Sequence, residues 1–308
     1  MPVSCSLVED LSDEENLISA ISRAFKIGKI SVKSVNSVII KPNLCYYWDA
    51  STGQTTSPKL VGALIEFLRS RWRNDPEILI AEADASAMKT KYVFRMLGYE
   101  DLAKDKEVQL LNLSEKPIVK CRTAIESLNV ELPFSKRLLD SDLLINVPKL
   151  KYHRFPKVTC ALKNIFGAIA KPYKFSYHPV FCKTIVAANK IVKSDIVLVD
   201  GLVVLGDHPK IIKTLLLGQD ALAMDYAASN IMGFNPRSVE YLRLAQREGL
   251  GDGDESEIIG EASLEELKRR FPPFSYWKQR ISWGLQLWMV KTYARIVGDT
   301  IPPMLTED

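Results

Sequence analysis

Apolar positions fall at helical spacing from residue 14 to 27, where Leu17, Ile18, Ile21, Ala24 and Phe25 share one face, and this predicts an amphipathic helix. The next apolar run, SVIIKPN at 37–43, is short and continuous, as expected of a buried strand that stops at Pro42. SPKLVGALIEFLRSR follows as a helix, with Ser57 as N-cap and Pro58 in the first helical position. EILIAEAD at 77–84 predicts a second strand, and a polar loop then leads into a helix near Lys91–Leu97. Strand and helix alternating at this spacing imply crossover units and a largely parallel sheet.

The same alternation resumes past residue 125. SLNVEL and SDLLINVPKL read as strands, the second ending in a proline-broken loop. Helices are expected over Thr159–Ile165 and Val180–Val192, the strand DIVLVDG follows, and TLLLG comes after it. Asp220–Ile231 predicts a helix capped by Asp220, and Ser238–Arg247 another that ends at Gly249. The acidic link GDGDESE precedes WKQRISWGLQLWMVKTYARIV, a basic helix with three of the five tryptophans. The fold class is therefore α/β, a mostly parallel sheet flanked by helices in one or two lobes with a helical C-terminal tail. The expected divisions are 1–135 and 136–255, separate or continuous, and 256–308 as the extension. The tryptophan-rich helix is expected to pack on the body or on a second copy in a homo-oligomer, with peripheral membrane contact as the other reading.

Composition changes the picture little: 47% hydrophobic and 25% charged residues fit an ordinary globular chain, and a net charge of +4 does not itself point to nucleic acid. No run of about 18 apolar residues predicts a spanning helix, and the acidic start has no apolar leader, so a cytoplasmic location is expected. The five cysteines lie at least 22 residues apart, with no CxxC, which removes a sequence-local iron–sulfur or zinc motif.

The distribution of charge says more. Between Leu143 and Ser194 there are 52 residues with ten lysines or arginines and no acid, leaving the rest of the chain at −6. At the centre stands KLKYHRFPKVTCALKN, five cations around His153. A solvated loop would mix acids among such bases. A basic crevice for a small anion is the better reading, with Lys149 and Lys151 as point charges and the helix expected from Thr159 adding its N-terminal dipole. Lys41, Asn43, Asp84 and Asp200 stand at other strand ends, where parallel sheets form their ligand crevice. His153 and His178 flank Lys163 in the acid-free segment. Neighbouring cations favour neutral imidazoles, fit for acid/base work or metal ligation, and a depressed Lys163 able to act as base or nucleophile. A redox protein holding an iron–sulfur or flavin group, and a nucleic-acid-binding module using Tyr152, Phe155 and Tyr173, are the alternatives.

KPN, INVPKLKYH, ALKNIFG, VDG and GQDALAMDYAASNIMGFNP resemble, in that order, the signature blocks of the DUF362 family over roughly residues 38 to 260. That resemblance implies membership but no settled activity. Many relatives carry ferredoxin-type cysteine segments that are absent from this sequence. The order His153, Lys163, His178, ten and then fifteen residues apart, is also similar to the nickel-pincer lactate racemase family. That likeness implies His153 as acid/base, Lys163 as cofactor tether and His178 as a ligand to a divalent metal such as nickel. The family's small-residue loop is replaced here by KVTCAL, and no histidine precedes His153, so a second base would have to be Lys41, Asp84 or a cysteine. The expected site is thus His153, Lys163 and Asp200 for catalysis, Lys41, Asn43, Lys149, Lys151 and Asn164 for holding an anionic ligand or cofactor, and His178 for metal.

Overall fold

A computed structural model describes residues 2–274 except 87, 154, 254 and 255, together with 288, 289, 292 and 296. The chain begins with strand β1 (Val3–Leu7) and helix α1 (Glu14–Ile27), then β2 (Ser37–Pro42), α2 (Pro58–Arg69) and β3 (Glu77–Glu82). Helices α3 (Thr90–Met96) and α4 (Tyr99–Asp105) lead to β4 (Gln109–Asn112), after which β5 (Ile118–Ile125) and β6 (Leu128–Ser135) make a separate antiparallel hairpin. Then come α5 (Lys136–Leu139), β7 (Leu143–Val147), β8 (Lys149–His153), β9 (Lys157–Thr159), α6 (Ala161–Phe166) and α7 (Phe181–Ile191). The strands β10 (Ile196–Leu205) and β11 (Pro209–Gly218), helices α8 (Ala221–Ile231) and α9 (Glu240–Arg247), β12 (Ile258–Gly260) and α10 (Leu264–Arg270) complete it.

One sheet runs in the order β12-β1-β11-β10-β7-β2-β3-β4, with β8 and β9 extending it beside β10. The stretch β10-β7-β2-β3-β4 is parallel throughout, and β11 turns antiparallel between β10 and β1. Strands 2 and 7, one from each side of residue 135, are hydrogen-bonded neighbours. Their near-continuous apolar runs are explained by burial on both faces. Val38 and Ile40 of β2 point into a core with Leu17, Ile21, Leu60 and Leu64 of α1 and α2. Ile39 points into the other core, with Ile165, Ile185, Ala227 and Leu242 of α6, α7, α8 and α9.

Most expected helices form within a residue or two of their predicted ends, and Asp220 caps α8 by accepting the N–H groups of Leu222 and Ala223. Ser57 precedes α2 but makes no side-chain cap bond. The expected helix at Thr159 begins instead at Ala161, because Lys157–Thr159 pairs with β8 as a strand. The loop expected after Pro148 is also a strand. Proline lacks an N–H and cannot continue the ladder, yet its carbonyl accepts the Asp200 N–H at 2.8 Å, and β8 resumes beside β10 at Lys149. Chain reversal at β10–β11 brings those backbones so close that a Cβ on Gly201 would lie 2.7 Å from Thr214 O. Of the expected tail, α10 is formed, whereas the tryptophan-rich run and the oligomer contact expected of it lie outside the described residues save for Trp288, Met289, Thr292 and Ile296. Among the described residues no helix is long and apolar enough to cross a membrane.

Candidate functional site

The carboxyl ends of β2, β3 and β7, with β8 and β10 beyond Pro148, bring a group of lysines together. Lys41, near the end of β2, is fully buried, with Nζ 2.8 Å from Glu82 Oε2 on β3 and donating to Pro42 O at 2.7 Å. Glu82 also accepts the N–H groups of Leu44 and Ala83, so its carboxylate is well satisfied. Across the sheet, Lys149 Nζ lies 2.9 Å from Asp200 Oδ1, both without exposure. The contact is ionic rather than a well-aimed hydrogen bond. Burial pushes Lys149 down from the ordinary lysine range, against the pull of Asp200. Asp200 in turn accepts the N–H groups of Ser57 at 2.8 Å and Leu202 at 3.0 Å, which ties β10 to the start of α2.

Three amides knit these strand ends to α6. Asn164 Nδ2 donates to Lys41 O at 3.1 Å and Asn146 Oδ1 at 2.8 Å, while its own Oδ1 accepts from Asn43 Nδ2 at 3.0 Å. Asn146 reaches onward to Ala161 O and Ser194 Oγ. Gly167 closes the turn: a Cβ there would sit 2.9 Å from Asn164 O and 3.6 Å from Lys41 Nζ.

Lys163 projects from the same short helix, half-buried, and has no hydrogen-bond or ion-pair partner among the described residues. Burial, then the charge of Lys151, pushes it down to about 8, opposed by Cys45 and Asp225. Lys151 is itself buried and donates to Gln54 O at 2.6 Å. A fifth lysine, Lys174, donates to Asp84 O at 2.6 Å and is pushed down to about 7, by burial first, with Glu82 opposing and Lys41 adding to the depression. Asp84 spends its carboxylate on Lys89 at 3.0 Å and on the Thr90 N–H. The lysines thus outnumber the carboxylates that face them. Open grooves on the β5–β6 hairpin and beside β1 and β11 contain none of these residues.

The dipole expected at the start of α6 is not offered to a ligand. The buried Asp225 carboxyl of α8 already accepts the Leu162 N–H, at 3.3 Å, and the Tyr241 hydroxyl at 3.0 Å. Burial raises that carboxyl to about 7, against the hydrogen bonds from Tyr241, Cys160, Ala161 and Leu162.

His153 ends β8, with Nδ1 accepting the Phe155 N–H at 3.1 Å. His178 lies in a 3₁₀ turn, its ring edge-on to Phe175 and Phe181. Among the described residues no three histidine, cysteine, aspartate or glutamate side chains gather as a metal site would need. Around Lys163 the Cys45 thiol and the Asp225 carboxyl do not join a third such donor, Asp225 is already spent on Leu162 and Tyr241, and the Lys151 ammonium opposes a cation. A divalent metal such as nickel therefore does not fit this donor set. The five cysteines are free thiols.

Sequence reasoning named Lys41, Asn43, Lys149, Lys151, Lys163, Asn164 and Asp200, and the fold brings these together. It missed Glu82, Asn146 and Lys174. The first two alternate with apolar residues in strands, and Lys174 lies in the acid-free segment, a signal that was available.

The DUF362 model, for a domain of unknown function, matches residues 38–230. The chain belongs to the DUF362 family. The matched span contains every residue of the lysine and amide group just described. This DUF362 chain is 26% identical over 237 residues to a thylakoid-associated protein of Synechocystis sp., covering 71% of itself and 70% of that relative. Among solved structures it is similar to the lactate racemase apoprotein of Thermoanaerobacterium thermosaccharolyticum, with a TM-score of 0.36 and 16% identity. That match covers 71% of this chain and spans about half, 54%, of the other. Neither fold nor chemistry follows from a likeness of that size.

Proposed function

We propose that the chain is an enzyme that binds a small carboxylate or phosphate at Lys163 and Lys151 and moves a proton at a position next to the anionic group. The observation that supports this reading is the Lys163 amine, crowded by a second cation and without a hydrogen-bonded or ion-paired carboxylate among the described residues. Placing an ammonium out of water is costly unless a partner offsets the loss. Lys41 and Lys149 have such partners in Glu82 and Asp200 and serve as scaffold. Lys163 has none until a ligand brings one.

A lysine near pKa 8 suits both halves of the task. At pH 7 about nine-tenths is ammonium, fit to hold an anion, and about a tenth is free amine, fit to act as base. Isomerisation or racemisation is the class of chemistry such a group serves, with His153 as the second acid/base. Asn43 and Asn164 hold the backbone of β2 beneath the ligand. The test is calorimetric titration with inorganic phosphate and with acetate at pH 6.5. Saturable binding of at least one is expected in the native chain and not in Lys163→Gln. Equal heats from the two proteins would remove Lys163 from the site.

A further inference from the structure

The lysine group has an aromatic border that proton transfer does not require. Phe166 follows Lys163 by three residues on α6, so the two share a side of that helix. Its ring meets Phe181 edge-on at 5.0 Å between centroids. Phe181 meets Phe155 at 5.6 Å and the His178 ring at 5.7 Å, and His178 meets Phe175 at 4.9 Å. Phe175 and Tyr173, 6.4 Å apart, flank Lys174, the amine that reaches over β3 to Asp84 O. The rings therefore form one run, with Lys163 beside one end and Lys174 at the other. Phe155 is 53% and Tyr173 38% exposed, so large apolar rings are held open along the run. No acid occurs in the segment that supplies them.

We propose that the ligand is an anion with a flat apolar body, an aromatic carboxylate or an aromatic phosphate. Its charged group sits at Lys163 and its ring lies on the run from Phe155 to Phe175. Charge complementarity selects the head, because neither Lys163 nor Lys151 is ion-paired among the described residues, and the Asp225 carboxyl whose charge reaches Lys163 is spent on Leu162 and Tyr241. Ring contact selects the body, because a planar ligand gains edge or face contacts that acetate or inorganic phosphate cannot make. This inference rests on the reading of the crevice as an anion site, and matched ligands separate the two.

The experiment compares phenyl phosphate with inorganic phosphate, and benzoate with acetate, by calorimetry on the full chain. One aromatic ligand is expected to bind roughly tenfold more tightly than its simple counterpart, the scale of one or two good ring contacts. The preferred pair identifies the head group. Phe155→Ser, at an exposed position of that run, is expected to pull that ratio towards one. Equal affinity within each pair would overturn the aromatic assignment and leave the anion site standing. Capture of the chain by phosphatidylglycerol vesicles, lost in Phe155→Ser and with no aromatic preference in solution, would reassign the rings to a lipid surface. Failure of all four ligands would overturn both readings.

Discussion

Replacing Lys163 by methionine should make the unliganded protein more stable. The amine is held near 8 where an ordinary lysine stands at 10.5, and its environment opposes the charged form by that difference. At about 1.4 kcal/mol per unit this is about 3 kcal/mol, and partial exposure lowers the expected gain to about 2 kcal/mol. Methionine keeps most of the apolar stem and removes only the charge. For a chain of this size the melting temperature should rise by about 4 °C at neutral pH. The sign with pH follows from linkage. A lysine depressed in the folded state contributes stability above the unfolded pKa and loses it as pH falls through the folded one. The advantage of Lys163→Met is therefore full below about pH 8 and fades as pH rises to about 10.5. Chemical denaturation of both proteins at pH 6.5, 8 and 10 reads this directly. A methionine variant less stable than the native chain at pH 6.5, or a difference that ignores pH, would show that the amine is already paired and refute the reasoning.

Three further outcomes are expected. Lys149→Met or Asp200→Asn alone should each cost about 3–5 kcal/mol in denaturant melts, because each strands a buried partner, whereas the double change Lys149→Met, Asp200→Asn, which keeps an acceptor for the Ser57 or Leu202 N–H, should cost less than the sum of the two. Phosphate affinity measured from pH 6 to 9 should fall as Lys174 and Lys163, near 7 and 8, lose their protons; a flat profile would exclude both amines from binding. Asn164→Ala should cost about 2–3 kcal/mol by leaving Asn146 Oδ1, Lys41 O and Asn43 Nδ2 without their partner, and an unchanged melt would place water in that role.

The parallel core was legible because strands buried on both faces write themselves as unbroken apolar runs. SVII and DIVLVD fall where β2 and β10 form. The strand ends were legible for the same reason, since Lys41 and Asp200 follow directly on those runs. The antiparallel side was not: VSCSL carries two serines in five residues, and pairing with β11 and β12 makes it a strand. Nor could the sequence reveal which lysines are neutralised. Lys41 and Lys149 meet carboxylates 41 and 51 positions away in the chain, so their ion pairs exist only through sheet order. Lys163 differs from them in lacking such a partner, and spacing along the chain carries no sign of that. Pro148 misled in the opposite direction, since a proline can interrupt a ladder without ending the strand beside it.

The central claim is that Lys163 carries a depressed, unpaired amine that an anion completes. Reductive ¹³C-methylation of the lysines, with Lys163→Arg to assign the signal, allows its titration to be followed by NMR with and without phosphate. A midpoint near 8 is expected in the free protein, with an upward shift once phosphate is bound. A midpoint in the ordinary lysine range that phosphate does not move would contradict it.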